Sequence, residues 1–231
     1  MPDVLLDSQQ RQWDDLRTLL GAYARHDPPR TVAVVGNAPL PPDPRRAAEI
    51  DAADLVIRAN AMVLDAPGGP ACVGTACDVV ILSRSTAITP WVFADYRRRL
   101  YLEPQGGFVR TRYDVEFERR RMPVRQWPAD LGLAPLPNAV VKARLADLLD
   151  PDHRPGALIP TTGLTAVFLA HEMFPGCRLV ATGFSFLDDA GQKHWAHHSG
   201  GHTKVNWQHD LNLEAQLMSR WIADGSIEFL R

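Results

Sequence analysis

The chain has 231 residues, 45% of them hydrophobic, with 25 basic side chains against 27 acidic ones and a formal net charge of −2. That length and apolar content suit one domain with a sizeable core, residues 1–231, with a helix and linker over 1–30 and the core over 31–231. The two signs are interspersed without a basic stripe, which excludes nucleic acid as an expected partner. No apolar run reaches the ~18 residues of a membrane span, and the first residues lack the charged-then-apolar signature of a signal peptide, so a soluble cytoplasmic protein is expected, with room only for peripheral membrane contact.

From Val4 to Arg25, Leu5, Leu6, Trp13, Leu16, Leu19, Leu20 and Tyr23 fall mostly on one face, which predicts a helix that covers a sheet. Val32 to Val35 follow as an unbroken apolar run, the pattern of a strand buried on both faces in a parallel sheet. Gly36-Asn37-Ala38 breaks it. A Gly-Asn pair tolerates positive φ and bares backbone N–H groups beside an amide, the chemistry of a nucleotide site at the carboxyl end of a strand. Arg45 to Ile50 predicts one or two helical turns, and Asp54 to Arg58 a second strand that delivers Asn60 to the same edge as Asn37.

A loop rich in Gly and Pro, Ala66 to Gly69, leads through Gly74 and Thr75 to a third buried strand, Asp78 to Ser83, whose end at Ser83 to Ser85 faces the same edge. Trp91 to Arg99 reads as a helix and Leu100 to Leu102 as a short strand. The basic runs Arg97 to Arg99 and Arg119 to Arg121 suit either solvated faces or an anionic acceptor. From Gln105 to Pro137 the pattern is weak, as expected of a segment serving a partner substrate, with Phe108, Tyr113, Phe117 and Trp127 scattered along it. Asn138 to Leu149 predicts a helix. Asp150-Pro151-Asp152 after it has the spacing of a metal-binding pair but sits in a Pro-containing turn with no strand before it, so it reads as helix-ending loop chemistry.

Pro160 to Phe174 is the second informative block. Thr161 or Thr162 caps a helix, Gly163 lets a ligand approach the backbone, and the first amides of such a helix form a ready anion site. The strand Arg178 to Gly183 follows, with Phe184 after it. The third block, Lys193 to Glu214, holds five of the eight histidines: His194, His197, His198, His202 and His209. Asp210 is a fitting cap for a helix running through Leu213, Leu217 and Trp221, which leaves His209 just before a helix N-terminus. His194 and His198 have i,i+4 spacing, so a zinc site is a competing reading, but no carboxylate completes a ligand set and no metal is expected. Cys72, Cys77 and Cys177 form no C-x-x-C pair, and reduced thiols are the simpler assumption.

Taken together these segments resemble the eukaryotic-type sialyltransferases. V-V-G-N at Val34 to Asn37, E-I-D at Glu49 to Asp51 and D-x-V-x-R-x-N at Asp54 to Asn60 are similar to the family's large sialyl motif, and Gly74 to Asp78 to the G-T-x-x-D that follows it. Pro160 to Gly163 is similar to the small motif, and His209 to Glu214 to the terminal H-x4-E. His194-Trp195 resembles the remaining His-aromatic motif, although His197 stands where an acidic residue is expected, which makes His198 a second candidate. By the same resemblance, Thr31 occupies the place of one of the cysteines that join the large and small motifs in secreted members.

The resemblance implies a bacterial-type member with an α/β, Rossmann-like fold, a variant of the GT-A type with a mostly parallel sheet and helices on both faces. It implies transfer, with inversion and without metal or other cofactor, of sialic acid or Kdo from its CMP conjugate to a glycan hydroxyl. His209 would be the base. His194 or His198, Asn60 and the Thr162-Gly163 amides would face the phosphate, while Asn37 and Thr161 hold ribose and cytosine within a frame of Gly36, Ala38 and Gly183. The rival readings are a Rossmann enzyme using NAD or S-adenosylmethionine, against which the missing G-x-G-x-x-G argues, and a silent nucleotide-binding protein.

Overall fold

The structure, a computed structural model, describes residues 2–59, 61–82, 88–104, 128, 130–137, 140–154 and 158–231. Asn60, Ser83 to Ser85, Arg119 to Arg121, and the aromatics Phe108, Tyr113, Phe117 and Trp127 lie outside the described residues.

Seven strands form a parallel sheet in the order β5-β4-β3-β2-β1-β6-β9. They are β1 (Thr31–Val35), β2 (Leu55–Ala59), β3 (Val79–Ile81), β4 (Leu100–Glu103), β5 (Ala134–Pro135), β6 (Arg178–Thr182) and β9 (Glu228–Phe229). Val32, Val34, Leu55, Ile57, Val79, Ile81, Leu100 and Leu102 project from one face, and Ala33, Val35, Val56, Val80 and Tyr101 from the other. Every one is buried, which is why the strands read as continuous apolar runs instead of alternating ones.

Four helices, α1 (Pro2–Gly21), α3 (Val141–Leu149), α4 (Thr162–Met173) and α5 (Leu211–Ala223), cover the first face. Trp13, Leu16 and Leu20 are the apolar stripe that α1 contributes. On the second face α2 (Pro44–Ala52) inserts Ile50 against Val35 and Val56. The fold is therefore α/β and Rossmann-like, with helices on both faces. No helix among the described residues is long and apolar enough to cross a membrane.

The expected helix over Trp91 to Arg99 is absent. A series of turns closes instead with one 3-10 turn at Tyr96–Arg98, entered through Asp95 at φ +51°. The buried Arg99 guanidinium donates to the carbonyls of Trp91 and Val92, which a continuing helix would use for its own ladder. Between Lys193 and Lys204 lies a separate antiparallel pair, β7 (His194–Ala196) with β8 (His202–Lys204).

The arginine of the D-x-V-x-R-x-N block has a structural task. Arg58 is 1% exposed and donates to the carbonyls of Ala76, Val63 and Val73. The carboxylates nearby work on the same loops. Asp65 accepts from the N–H groups of Cys72, Val73 and Gly74, Asp51 from those of Thr75 and Ala76, and Asp78 from that of Val56. Backbone that cannot join a ladder is satisfied by side chains here, which pins the 61–78 connection against α2 and β2.

Candidate active site

Between β1 and β6 the strand order reverses direction, since the chain runs outward from β1 to β5 and then returns to pair β6 on the other side of β1. Ligands in open α/β sheets sit in the crevice at the carboxyl ends of such a pair. Gly36 follows β1 there and Gly183 follows β6. The two are nearly in contact: a Cβ on Gly36 would lie 2.1 Å from the Gly183 carbonyl oxygen, and Gly183 itself has φ +78°. The Gly36 N–H donates to the Thr182 carbonyl at 2.8 Å and the Ala38 N–H to that of Gly183 at 3.1 Å.

Gly163, in the first turn of α4, meets this seam through Phe184. A Cβ on Gly163 would come within 2.9 Å of the Phe184 ring, and one on Gly36 within 3.3 Å. Two glycines from separate segments, Gly36 and Gly163, thus pack against one aromatic ring, and Gly183 meets the backbone of Gly36. Phe184 stacks edge-on against Phe186 at 5.8 Å, which anchors the ring from below. The sequence marked Gly36 and Gly163 for backbone access and placed Phe184 after the strand Arg178 to Gly183, but carried no sign of the contact between them.

Asn37 donates through Nδ2 to the Ala59 carbonyl at 2.7 Å, so its amide ties the ends of β1 and β2 together. Its own carbonyl accepts from the His198 N–H at 2.7 Å, and the Leu40 N–H donates to His198 Nδ1 at 3.2 Å. The loop after β7 is therefore docked onto the loop after β1. Because Nδ1 accepts, the neutral His198 ring carries its proton on Nε2, where it is a donor. His194 is exposed at the start of β7, paired with Lys204 across the hairpin. His197 bonds Thr203 Oγ1 through Nε2.

Thr161 caps α4, its hydroxyl accepting from the Leu164 N–H at 3.1 Å. It also meets Glu214 twice: the Thr161 N–H donates to Oε1 at 2.8 Å and the hydroxyl to Oε2 at 2.6 Å. With these bonds made and the residue buried, Thr161 positions the turn, and Thr162 and Gly163 are its more accessible members. Their amides open the helix and have no intrahelical acceptor. A signal for Glu214 was present in the sequence, since position 214 falls in the apolar stripe Leu211, Leu217, Met218 and Trp221 that α5 buries.

Glu214 is fully buried, and burial pushes its carboxyl up to about 8 despite the two Thr161 bonds. A carboxyl raised in the folded state binds more protons there than in the unfolded chain. Its contribution to stability is complete below about pH 4.5 and is lost as pH rises toward about 8. Urea unfolding at about pH 5 and about pH 8 should thus show a drop in the wild type that is reduced in Glu214→Gln. Equal drops in both proteins would remove Glu214 as its source.

His209 lies at the other end of the same connection. Its Nδ1 bonds the Ile159 carbonyl at 2.5 Å, and the Ile159 N–H donates to the Gln208 carbonyl at 2.9 Å. A carbonyl only accepts, so Nδ1 carries the proton and Nε2 presents its lone pair. Burial lowers the pKa of His209, the Ile159 carbonyl opposes that, and the positive charge of Lys142 lowers it further. Asp210 accepts from the N–H groups of Asn212 and Leu213 and caps α5 as expected.

Asp150 of the Asp-Pro-Asp turn accepts from the Asp152 N–H, an ordinary loop-closing bond. No group of three or more His, Cys, Asp or Glu side chains suited to a metal ion occurs among the described residues. Cys72, Cys77 and Cys177 are free thiols.

No protein-family model matches the chain, and no curated protein sequence matches it. Solved structures of a mammalian sialyltransferase resemble it. One has a TM-score of 0.56 at 16% identity, over 87% of this chain and 68% of the other. A second, in complex with Gal-beta-1-3GalNAc-ortho-nitrophenol, has a TM-score of 0.55 at 19% identity, over 87% and 69%. At such identities the likeness is one of fold.

Proposed function

We propose that the protein is an inverting glycosyltransferase that moves a ulosonic acid, sialic acid or Kdo, from its CMP conjugate to a glycan hydroxyl. The observation that carries this reading is a pair of oppositely set histidines, His198 docked on the loop after β1 and His209 on the segment that leads into α4. His198 has Nδ1 occupied as an acceptor and Nε2–H to donate, whereas His209 has Nδ1–H occupied and Nε2 to accept. Transfer needs one of each. A base must take the proton of the attacking hydroxyl, and a donor must meet the charge that grows on the departing phosphate.

His209 Nε2 takes the acceptor proton as its oxygen bonds the anomeric carbon. The bond from that carbon to the phosphate breaks, and its electron pair leaves with CMP. His198 and the Thr162 and Gly163 amides receive the phosphate charge, with Asn60 a proposed further partner. Asn37 holds the nucleoside between Gly36, Ala38 and Gly183, and Thr161 acts through the turn it caps. His194 stands as the alternative phosphate ligand. A monophosphate leaving group presents no diphosphate for a divalent ion to clamp, so side chains and helix amides suffice. The fold likeness to a sialyltransferase supports the reaction class.

Thermal shift with CMP, UDP, GDP, NAD and S-adenosylmethionine tests the nucleotide. CMP at a hundredfold excess over its Kd should stabilise the protein by about 2.7 kcal/mol, with smaller effects from the others. Equal shifts with UDP and CMP would sink the cytidine assignment.

A further inference from the structure

The β7–β8 hairpin turns its two faces to different surroundings. Its pairing sets His194 opposite Lys204, Trp195 opposite Thr203 and Ala196 opposite His202. Trp195 and, one residue past β8, Val205 pack against the main core, whereas His194, His202 and Lys204 share the opposite face and are exposed. From residue 190 to residue 209 the chain has no acidic side chain, yet it carries Lys193, Lys204 and five histidines. Among the described residues, the side chains of Lys193, His194, His202 and Lys204 make no hydrogen bond or ion pair. Basic side chains directly opposite each other on a hairpin repel, and an anion seated on that face relieves the repulsion.

Both ends of the hairpin are tied to the site. After β7, the His198 N–H donates to the Asn37 carbonyl at 2.7 Å. After β8, the chain makes a tight turn into His209, whose N–H donates to the Asn206 carbonyl at 3.0 Å. The Gln208 N–H donates to Asn206 Oδ1 at 3.2 Å, and the Gln208 carbonyl accepts from the Ile159 N–H at 2.9 Å. Trp207 rides on this pinned turn with 85% of its surface exposed, one of two large hydrophobic side chains so exposed among the described residues. Only two residues of chain separate it from His209, so their Cα atoms lie within about 7 Å. A flat indole in water offers an apolar bed for the C–H face of a sugar ring. We propose that Trp207 and the outer face of the hairpin bind the acceptor and that this acceptor is an anionic glycan, an inference that rests on the transfer reaction proposed above. A sugar ring lies on Trp207, and its carboxylate or phosphate meets Lys204 and His202. A neutral glycan leaves the opposed basic side chains without a counter-charge, so the surface selects charged acceptors over neutral ones.

The test measures Kd by titration calorimetry for lactose, lactose phosphate and a glucuronate-ended disaccharide, beside Kd for CMP, in wild type, Lys204→Gln, Lys204→Glu and Trp207→Ala. Wild type should bind at least one charged glycan about fivefold or more tightly than lactose, a preference that shrinks as ionic strength rises. Lys204→Gln should reduce the preference roughly twofold to fivefold and Lys204→Glu should abolish it, both with CMP affinity unchanged. Trp207→Ala should weaken all three glycans by roughly tenfold, because the ring contact does not read charge. Equal Kd values for lactose and both charged glycans overturn the proposal, as does unchanged glycan affinity in Trp207→Ala. A Lys204→Glu loss that falls on CMP instead also overturns it, by giving the cation to the nucleotide. Charge-selective glycan binding by a protein that releases no CMP from CMP-sialic acid or CMP-Kdo upholds the surface and sinks the transfer reading. CMP release without any charge preference among acceptors leaves the transfer reading intact and sinks this inference alone.

Discussion

Replacing His209 with Ala is expected to lower turnover by roughly 10² to 10⁴, the usual span for loss of a general base, and to leave CMP affinity nearly unchanged. The expectation follows from the way the imidazole is held. Its Nδ1 proton is spent on the Ile159 carbonyl, so Nε2 is the only ring nitrogen that can accept from a substrate. Burial lowers the pKa from the usual 6.5, with Lys142 adding to it against the opposing Ile159 bond. The imidazole thus favours its neutral form, and if it is the base, activity should fall only as pH drops through the lowered value. That acid limb should vanish in His209→Ala. Near-normal turnover in this variant, with loss in His198→Ala or His194→Ala, would assign the base to the other histidine.

The second large effect is expected at Gly36. A methyl group placed there would sit 2.1 Å from the Gly183 carbonyl oxygen and 2.8 Å from its carbon, both backbone atoms that cannot swing aside. Gly36→Ala must therefore force β1 and β6 apart at their carboxyl ends. The bonds from Gly36 to Thr182 and from Ala38 to Gly183 stretch with them. Overpacking costs roughly 1–3 kcal/mol and each strained hydrogen bond about 1 more, so a loss of about 3–5 kcal/mol is expected. Against a typical total of about 5–15 kcal/mol, the variant is badly destabilised, and CMP should no longer raise its melting temperature. Gly132→Ala is the control, since a Cβ on that exposed glycine meets nothing within 4 Å. A Gly36→Ala protein that unfolds at the wild-type urea concentration and still binds CMP would contradict the close seam.

The central strands were legible because their chemistry is local. Val32 to Val35, Leu55 to Ile57 and Leu179 to Ala181 are buried on both faces, so their apolar runs are unbroken. The caps of α4 and α5 were legible for the same reason, each depending on residues three or fewer positions apart. Strands β5 and β9 are two residues long, too short for any periodicity. The β7–β8 hairpin is largely exposed and mixes His, Thr and Lys, so it carries no apolar signal. Arg99 shows the reverse case, in which a long side chain claims two carbonyls and stops a helix that local pattern predicts.

For the site, the individual residues were visible and their connections were not. Gly36 and Gly163 announce freedom of φ or close approach, but that they share the Phe184 ring depends on β1 pairing with β6 across more than a hundred residues of chain. Thr161 read as a ligand-facing cap, whereas its hydroxyl is bonded to Glu214, 53 positions away. The tautomers of His198 and His209 are set by the backbone of Leu40 and Ile159, neither of which carries a sequence signal. Lys142 resembles any helix lysine until the packing of α3 takes it half out of water.

The most direct measurement is product release from competing donors. Wild-type protein is incubated separately with CMP-sialic acid, CMP-Kdo and a UDP-hexose, each with a glycan acceptor, and the freed nucleotide is quantified beside the same reactions of His209→Ala. The account predicts CMP release from at least one of the two cytidine donors, its reduction by roughly 10² or more in the variant, and no UDP release. Release of UDP at a comparable rate, or CMP release that His209→Ala leaves intact, would contradict it.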